Sequence, residues 1–264
     1  MELGLTDKPI LVMASSGGIG RGVALECARE GAKVMLFARN EEKLKQTQQE
    51  IARETGNQPA YTVGDISDPA AIPNVVERTV SEFGGLWALF NNTGGPPAGT
   101  FDSFTDDDAW QSAFELTLLS YIRTIRAVLP HLRESGKGGR IVNNTSISTK
   151  RVIDNLILSN TFRMGIVGLS KTLAREMGPE NIMVNVVSPG RIDTDRIAQL
   201  DSIVAGKQNR SAAEVRAAAE AAIPLGRAGS PEEFGKIVAF LCSETNTYLT
   251  GQNLVIDGGS VDAY

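Results

Sequence analysis

The run Ser15-Ser16-Gly17-Gly18-Ile19-Gly20, Arg39, and the pair Ser159 and Arg163 are residues whose types and spacing could do chemistry. The first run joins an apolar stretch to an amphipathic one. Glycines at such a turn let the backbone approach a pyrophosphate, and the helix that follows aims free N–H groups at it. A purely structural turn would use the same residues. Arg39 ends a second apolar stretch, where an acidic residue would bind ribose hydroxyls. A guanidinium there can instead meet a 2′-phosphate, a charge-assisted contact worth about 1.5–3 kcal/mol. A solvated arginine is the plainer alternative. Ser159 and Arg163 are four apart, so on a helix they share a face. The hydroxyl can hydrogen-bond a carbonyl or alcohol oxygen, and the guanidinium can hold a carboxylate or phosphate. Neither moves protons near neutrality. An aliphatic alcohol titrates far above the phenol value of about 10, and an arginine stays charged. Lys150 could serve if desolvated, since a buried lysine can titrate at about 7; an exposed loop lysine would not. Tyr121 is a nearby phenol that core or interface packing explains better.

These residues need elements to position them. Short apolar runs alternate with longer amphipathic ones along all 264 residues. Strands are predicted at 10–13, 33–37, 60–63, 88–91, 140–144, 183–187 and 253–257. Helices are predicted at 19–30, 41–55, 69–83, 106–134 with a break near Pro130, 161–177 and 231–242. Ser230-Pro231-Glu232-Glu233 carries a capping box, and Asp68-Pro69 and Thr105 with Asp108 read as helix starts. The alternation predicts βαβ units. It follows that the fold is α/β, a single domain with a doubly wound parallel sheet and helices on both faces. Ligands of such sheets bind beyond the carboxyl ends of the strands, where the residues above fall.

Hydrophobic residues make up 42% of the chain, enough for a sizeable core. A net charge of -5 argues against a nucleic-acid partner. No apolar stretch reaches bilayer length, and the N-terminus lacks a secretory signal, so the expectation is a cytoplasmic protein without a membrane partner. Cys27 and Cys242 fall in helical patterns and are expected as buried free thiols. With His131 the one histidine and no Cys/His cluster, no metal site is expected.

Gly18-Ile19-Gly20, Asn91-Asn92-Thr93-Gly94, Pro189-Gly190 and Asp257-Gly258-Gly259 occur in this order along the chain. Together they resemble the short-chain dehydrogenase/reductase family, in particular its 3-oxoacyl-acyl-carrier-protein reductase-like members. The resemblance implies a Rossmann-like fold and an enzyme that transfers hydride between a nicotinamide nucleotide and a carbonyl or secondary alcohol. It assigns Ser15, Ser16, Gly18, Ile19 and Gly20 to the cofactor phosphates. Asp65 and Ile66 would hold the adenine, and Asn92 and Gly94 would pack beside the adenosine ribose. Pro189 and Gly190 open a cofactor-binding segment in which the Ile192 backbone and Thr194 would hold the nicotinamide carboxamide. Arg39 favours NADP(H), with NAD(H) the alternative. Ala14 replaces the leading glycine of the family turn and is tolerable there if its φ is negative. The basic residue that marks NADP sites within the turn is missing, with Gly17 at its likeliest position.

The same resemblance places Ser146 as the serine that hydrogen-bonds the reacting oxygen. The family's Tyr-x-x-x-Lys pair reads Ser159 and Arg163, and Thr117 stands where an asparagine anchors a relay water. Arg163 could still bind ribose hydroxyls. General acid–base catalysis is typically worth about 10²–10⁴-fold, so the missing phenol is a serious loss. The first reading is an NADP(H)-dependent oxidoreductase. Its proton would come from Lys150, or from a water held by Ser146, Ser159 and Thr117. A nucleotide-binding sensor with little turnover and a lyase or dehydratase are the alternatives. By resemblance, the alanine-rich stretch 195–222 is a substrate lid, and Gly94-Gly95-Pro96-Pro97 forms the opposite rim. Homotetramer formation through 106–134 and 161–177 is implied, and the substrate is a small molecule, with anions among the candidates.

Overall fold

The computed structural model describes residues 2–263. Seven strands, β1 (Pro9–Met13), β2 (Lys33–Ala38), β3 (Ala60–Val63), β4 (Ala88–Asn91), β5 (Gly139–Asn144), β6 (Ile182–Pro189) and β7 (Asn253–Ile256), form one sheet. Its order is β3-β2-β1-β4-β5-β6-β7 and every pairing is parallel. A parallel sheet is covered on both faces, so its strands are apolar runs without alternation. Ile10, Leu11, Val12 and Met13 of β1 are accordingly all fully buried.

Nine helices among the described residues cover the sheet: α1 (Gly18–Arg29), α2 (Glu41–Thr55), α3 (Ala71–Phe83), α4 (Asp107–Phe114), α5 (Ser120–Glu134), α6 (Ile157–Glu176), α7 (Asp195–Gln208), α8 (Ala212–Ala221) and α9 (Pro231–Cys242). On one face, Val23 and Cys27 of α1 and Phe234 and Val238 of α9 pack on Ile10, Val12, Val34 and Leu36. On the other, Val75 of α3 and Ile125, Val128 and Leu132 of α5 pack on Leu11, Met35, Leu89 and Ile141. Cys27 and Cys242 are buried free thiols. The chain winds outward from β1 to β3 and then returns to β4 on the other side of β1. That reversal opens a crevice between the β1 and β4 ends, the place where doubly wound sheets take ligands.

Four helix features differ from the sequence expectation. The long helix does not break at Pro130, which lies inside α5. It loosens instead into a π-turn at Glu115–Leu119. Hydroxyls explain this: Thr117, Ser120 and Thr124 each donate to the carbonyl four residues back, competing with the helix's own N–H groups. α6 begins at Ile157 rather than 161, with no side-chain cap at Leu156. A backbone pairing replaces the cap: Gly99 N donates to Asn155 O and Ile157 N to Gly99 O. Ser159 therefore lies within the helix. α3 starts at Ala71, two residues later than expected, and Asp106 rather than Thr105 caps α4 by accepting from Asp108 N and Ala109 N.

Candidate active site

A cleft of about 600 Å³ opens at the carboxyl ends of β1, β4, β5 and β6. Its nucleotide end is built from bare backbone. A Cβ on Gly20 would lie 2.3 Å from Ala14 O, so only glycine fits there. Gly18 takes φ +51°, which favours glycine. Gly17, the N-cap of α1, makes no side-chain cap, so the first N–H groups of a 12-residue helix stay unpaired beside the cleft. Ser16, Gly17, Gly18, Ile19 and Gly20 all line it. A pyrophosphate fits this arrangement of uncapped donors and glycine backbone.

Ala14 corrects one expectation. Its φ is +50°, left-handed rather than negative. A non-glycine residue costs about 1–2 kcal/mol in that region. Ser15 corrects another. It is fully buried and absent from the cleft lining. Its Oγ accepts from Phe37 N at 2.9 Å and so clips the turn to β2 rather than facing the cleft.

Asn92 and Gly94 line the cleft. Asn92 Nδ2 donates to Met13 O at 3.3 Å and its Oδ1 accepts from Asn144 Nδ2 at 2.8 Å, so it ties the ends of β1, β4 and β5 together. Pro189, Gly190, Ile192 and Thr194 also line the cleft. A Cβ on Gly190 would meet Asp257 Cβ at 2.5 Å, and Thr194 caps α7 by accepting from Ile197 N.

Arg39, Asp65 and Ile66 stay outside the cleft lining. Arg39 Nη1 lies 3.7 Å from the Asp65 carboxylate, and its side chain is 80% exposed. Asp65 also accepts from Ser67 N, and Ile66 is buried. Lys43, in the first turn of α2, does line the cleft. Sequence reasoning missed it, although a signal existed. A cation in the first turn opposes the helix dipole, so its presence there needs another reason.

The chemical end holds Ser146, Ser159 and Arg163, which all line the cleft. Ser146 Oγ accepts from Ser148 N at 3.1 Å at the head of the 3₁₀ turn Ile147–Thr149. Arg163 is buried and lies one turn beyond Ser159. Its Nε donates to Ser159 Oγ at 3.2 Å, and its Nη1 donates to Thr145 O at 3.0 Å and Asn144 O at 3.4 Å. These bonds leave over its Nη2. Each serine oxygen thus already accepts one bond, and its proton is left to donate.

The other candidates do not enter the cleft. Lys150 is exposed rather than desolvated and is absent from the lining, where its neighbour Arg151 stands instead. Thr117 is fully buried in the π-turn, with its hydroxyl given back to Ala113 O. Tyr121 is fully buried and donates to Asn144 O at 2.7 Å. Burial pushes its phenol up to about 12, against the opposing pull of the Arg163 guanidinium. The residues described as lining the cleft include no tyrosine, histidine or cysteine. They do include five cations, Lys43, Arg151, Arg163, Arg191 and Arg196, against the single carboxylate of Asp195. A second, more open hollow of about 800 Å³ lies by the outer strand β3, between α2 and α3, away from all of these residues.

Known proteins share this architecture along the whole chain. The profile of a family described as enoyl-(acyl carrier protein) reductase matches residues 13–261. The 3-oxoacyl-[acyl-carrier-protein] reductase FabG of Chlamydia muridarum is 32% identical, over 97% of this chain and 98% of that protein. The NADPH-dependent reductase BacG of Bacillus subtilis is 30% identical, over 97% and 99%. The crystal structure of L-sorbose reductase from Gluconobacter frateurii, complexed with NADPH and L-sorbose, superposes with a TM-score of 0.94 at 30% identity and 100% coverage of both chains.

Proposed function

Because the chain belongs to the short-chain dehydrogenase/reductase family, we propose that it is an NADP(H)-dependent oxidoreductase of carbonyls or secondary alcohols in which a water replaces the family's phenol as proton source. The observation that carries this reading is the joint placement of Ser146 and Ser159. Both present a free hydroxyl proton to the cleft that also receives the uncapped start of α1. The nicotinamide, when bound, supplies or accepts the hydride. The residues of the chain do the rest. The α1 N–H groups and Ser16 hold the phosphates. Lys43 and Arg39 meet the 2′-phosphate, while Ile192 and Thr194 hold the carboxamide. Arg163 Nη2 is left for the ribose hydroxyls.

Ser146 and Ser159 donate to the substrate oxygen and stabilise the negative charge that develops on it. Removing one such donor typically costs about 10²–10³-fold in rate. The Arg163 cation raises this effect through Ser159, whose oxygen it polarises. A water at the mouth of the cleft gives the proton.

The segment 195–222 serves as a lid, made of α7 and α8. Arg191 pairs with Asp201 of α7, and Asp193 pairs with Arg216 of α8 at 2.9 Å, so two ion pairs join the lid to the loop below it. The protein acts as a homotetramer in the cytoplasm. Half-exposed Met164 on α6 and exposed Phe101 near α4 support the helical interface, and buried free thiols suit a reducing compartment.

The competing reading is a nucleotide-binding protein with little turnover, favoured by the lack of tyrosine, histidine or cysteine among the described residues that line the cleft. Titrating NADPH and NADH into the protein, then screening carbonyl compounds by absorbance, separates the two. The proposal expects tighter NADPH binding and NADPH oxidation by at least one carbonyl. NADPH binding without oxidation by any of them favours the competing reading, and binding of neither nucleotide rejects both.

A further inference from the structure

The cleft's cations are not all accounted for by the cofactor and the catalytic hydroxyls. Arg163, the obvious anchor for an anionic substrate, is committed to Ser159 and to two backbone carbonyls. Arg191 is committed to Asp201. Lys43 stands at the nucleotide end, on α2. Arg151 and Arg196 remain, and neither forms an ion pair among the described residues.

Arg151 follows the 3₁₀ turn that Ser146 caps, and among the described residues its side chain donates to Ser260 O alone, from Nη1 at 3.1 Å. Arg196 lies in the first turn of α7, and its Nη1 donates only to Gln199 Oε1 at 3.3 Å. Its Nη2 hangs over the opposite rim, 3.9 Å from where a Cβ on Gly95 would stand. The same cleft is lined by the apolar side chains of Ile147, Ile153, Leu156, Ile197 and Leu200. Two arginines from separate segments thus line one partly apolar cleft together with Ser146 and Ser159. The chain as a whole carries -5, so the cleft reverses the sign of the protein, and such a field draws anions in.

We infer that the substrate is itself an anion, a carbonyl or hydroxy compound bearing a carboxylate or phosphate that Arg151 and Arg196 clamp while Ser146 and Ser159 hold its reacting oxygen. This rests on the proposed function above. Guanidinium forks match both anions bidentately, so the shared chemistry is a planar or tetrahedral oxyanion at the end of a short carbon chain.

Calorimetric titration into the full chain, with and without NADP⁺, tests the clamp without requiring turnover. The probes are acetoacetate against methyl acetoacetate for a carboxylate, and dihydroxyacetone phosphate against dihydroxyacetone for a phosphate. In at least one pair the anion binds about tenfold or more tightly than its neutral partner, as a charge-assisted contact requires. Arg151→Gln with Arg196→Gln abolishes that gap and leaves NADP⁺ affinity unchanged, and Arg151→Lys with Arg196→Lys restores part of it. Both side chains are exposed, so the variants fold. Equal binding within both pairs, no measurable binding of either anion, or a gap that survives the double variant overturns the inference. A fall in NADP⁺ affinity in the double variant also overturns it, because the arginines would then serve the cofactor phosphates. Absence of NADP⁺ binding in the unaltered protein instead rejects the proposed function, and the anion gap is still read from the titrations without nucleotide.

Discussion

Arg163 Nε donates to Ser159 Oγ at 3.2 Å while its Nη1 reaches the carbonyls of Asn144 and Thr145, which makes the cation a strut between α6 and the end of β5. It orients the Ser159 hydroxyl and satisfies two carbonyls at the strand end. On the proposed function, the loss of the family's tyrosine falls on proton transfer, while the scaffold that would surround the reacting oxygen persists.

Ser159→Tyr combined with Arg163→Lys tests whether the rest of the site is intact. Reduction of a generic ketone by NADPH rises at least about tenfold, since a phenolic acid is typically worth about 10²–10⁴-fold. An unchanged kcat/KM means that the pocket differs further. Arg163→Ala instead removes donors from Asn144 O and Thr145 O and lowers stability by about 1–3 kcal/mol, read by denaturant unfolding.

On the proposed function, cofactor choice is set around the head of α2. Lys43→Ala and Arg39→Ala each weaken NADPH by about tenfold and leave NADH nearly unchanged. Equal weakening of both nucleotides rejects the 2′-phosphate role. Gly17 is extended, at φ 169°, and a Cβ there meets nothing within 4 Å. Gly17→Arg is tolerated and tightens NADPH, measured by fluorescence titration.

Ala14 is held at φ +50°. Ala14→Gly relieves left-handed strain of about 1 kcal/mol, and in a chain of this size that raises Tm by about 2 °C. A lower Tm shows that the alanine methyl group contributes more packing than its backbone loses in strain.

Tyr121 and Cys242 are both pushed up to about 12 by burial. Their ordinary values are about 10 and 8.5. A raised folded pKa favours the neutral form, so the stability it contributes is full below the unfolded value and is lost as pH rises toward the folded one. The melting temperature therefore falls from about pH 9 upward, and Cys242→Ala makes that fall shallower. A melting temperature flat to pH 11 contradicts this assignment.

The sheet was legible because strands buried on both faces are uninterrupted apolar runs, and seven of the nine helices fall within stretches of amphipathic spacing, α4 and α5 within one. α7 and α8 were not, because the stretch read as an alanine-rich insertion. The residues that escaped depend on partners distant in sequence. The start of α6 rests on Gly99, the hydroxyl of Ser15 on Phe37, and the hydrogen bonds of Arg163 on the end of β5. Spacing brought Lys150 forward as a candidate, but the turn after Ser146 points Arg151 into the cleft instead. Thr117 lies in the π-turn, and its short side chain bonds back to Ala113 O and stays out of the cleft lining.

Single-turnover oxidation of bound NADPH, followed by absorbance with a panel of neutral and anionic carbonyl compounds, tests the central claim most directly. The claim is that two hydroxyl donors sustain hydride transfer without a phenol. The unaltered protein oxidises NADPH with at least one compound, and Ser146→Ala with Ser159→Ala slows that step by about 10²-fold or more with NADPH affinity unchanged. NADPH that binds and is never oxidised, or a double variant that oxidises it equally fast, contradicts the account.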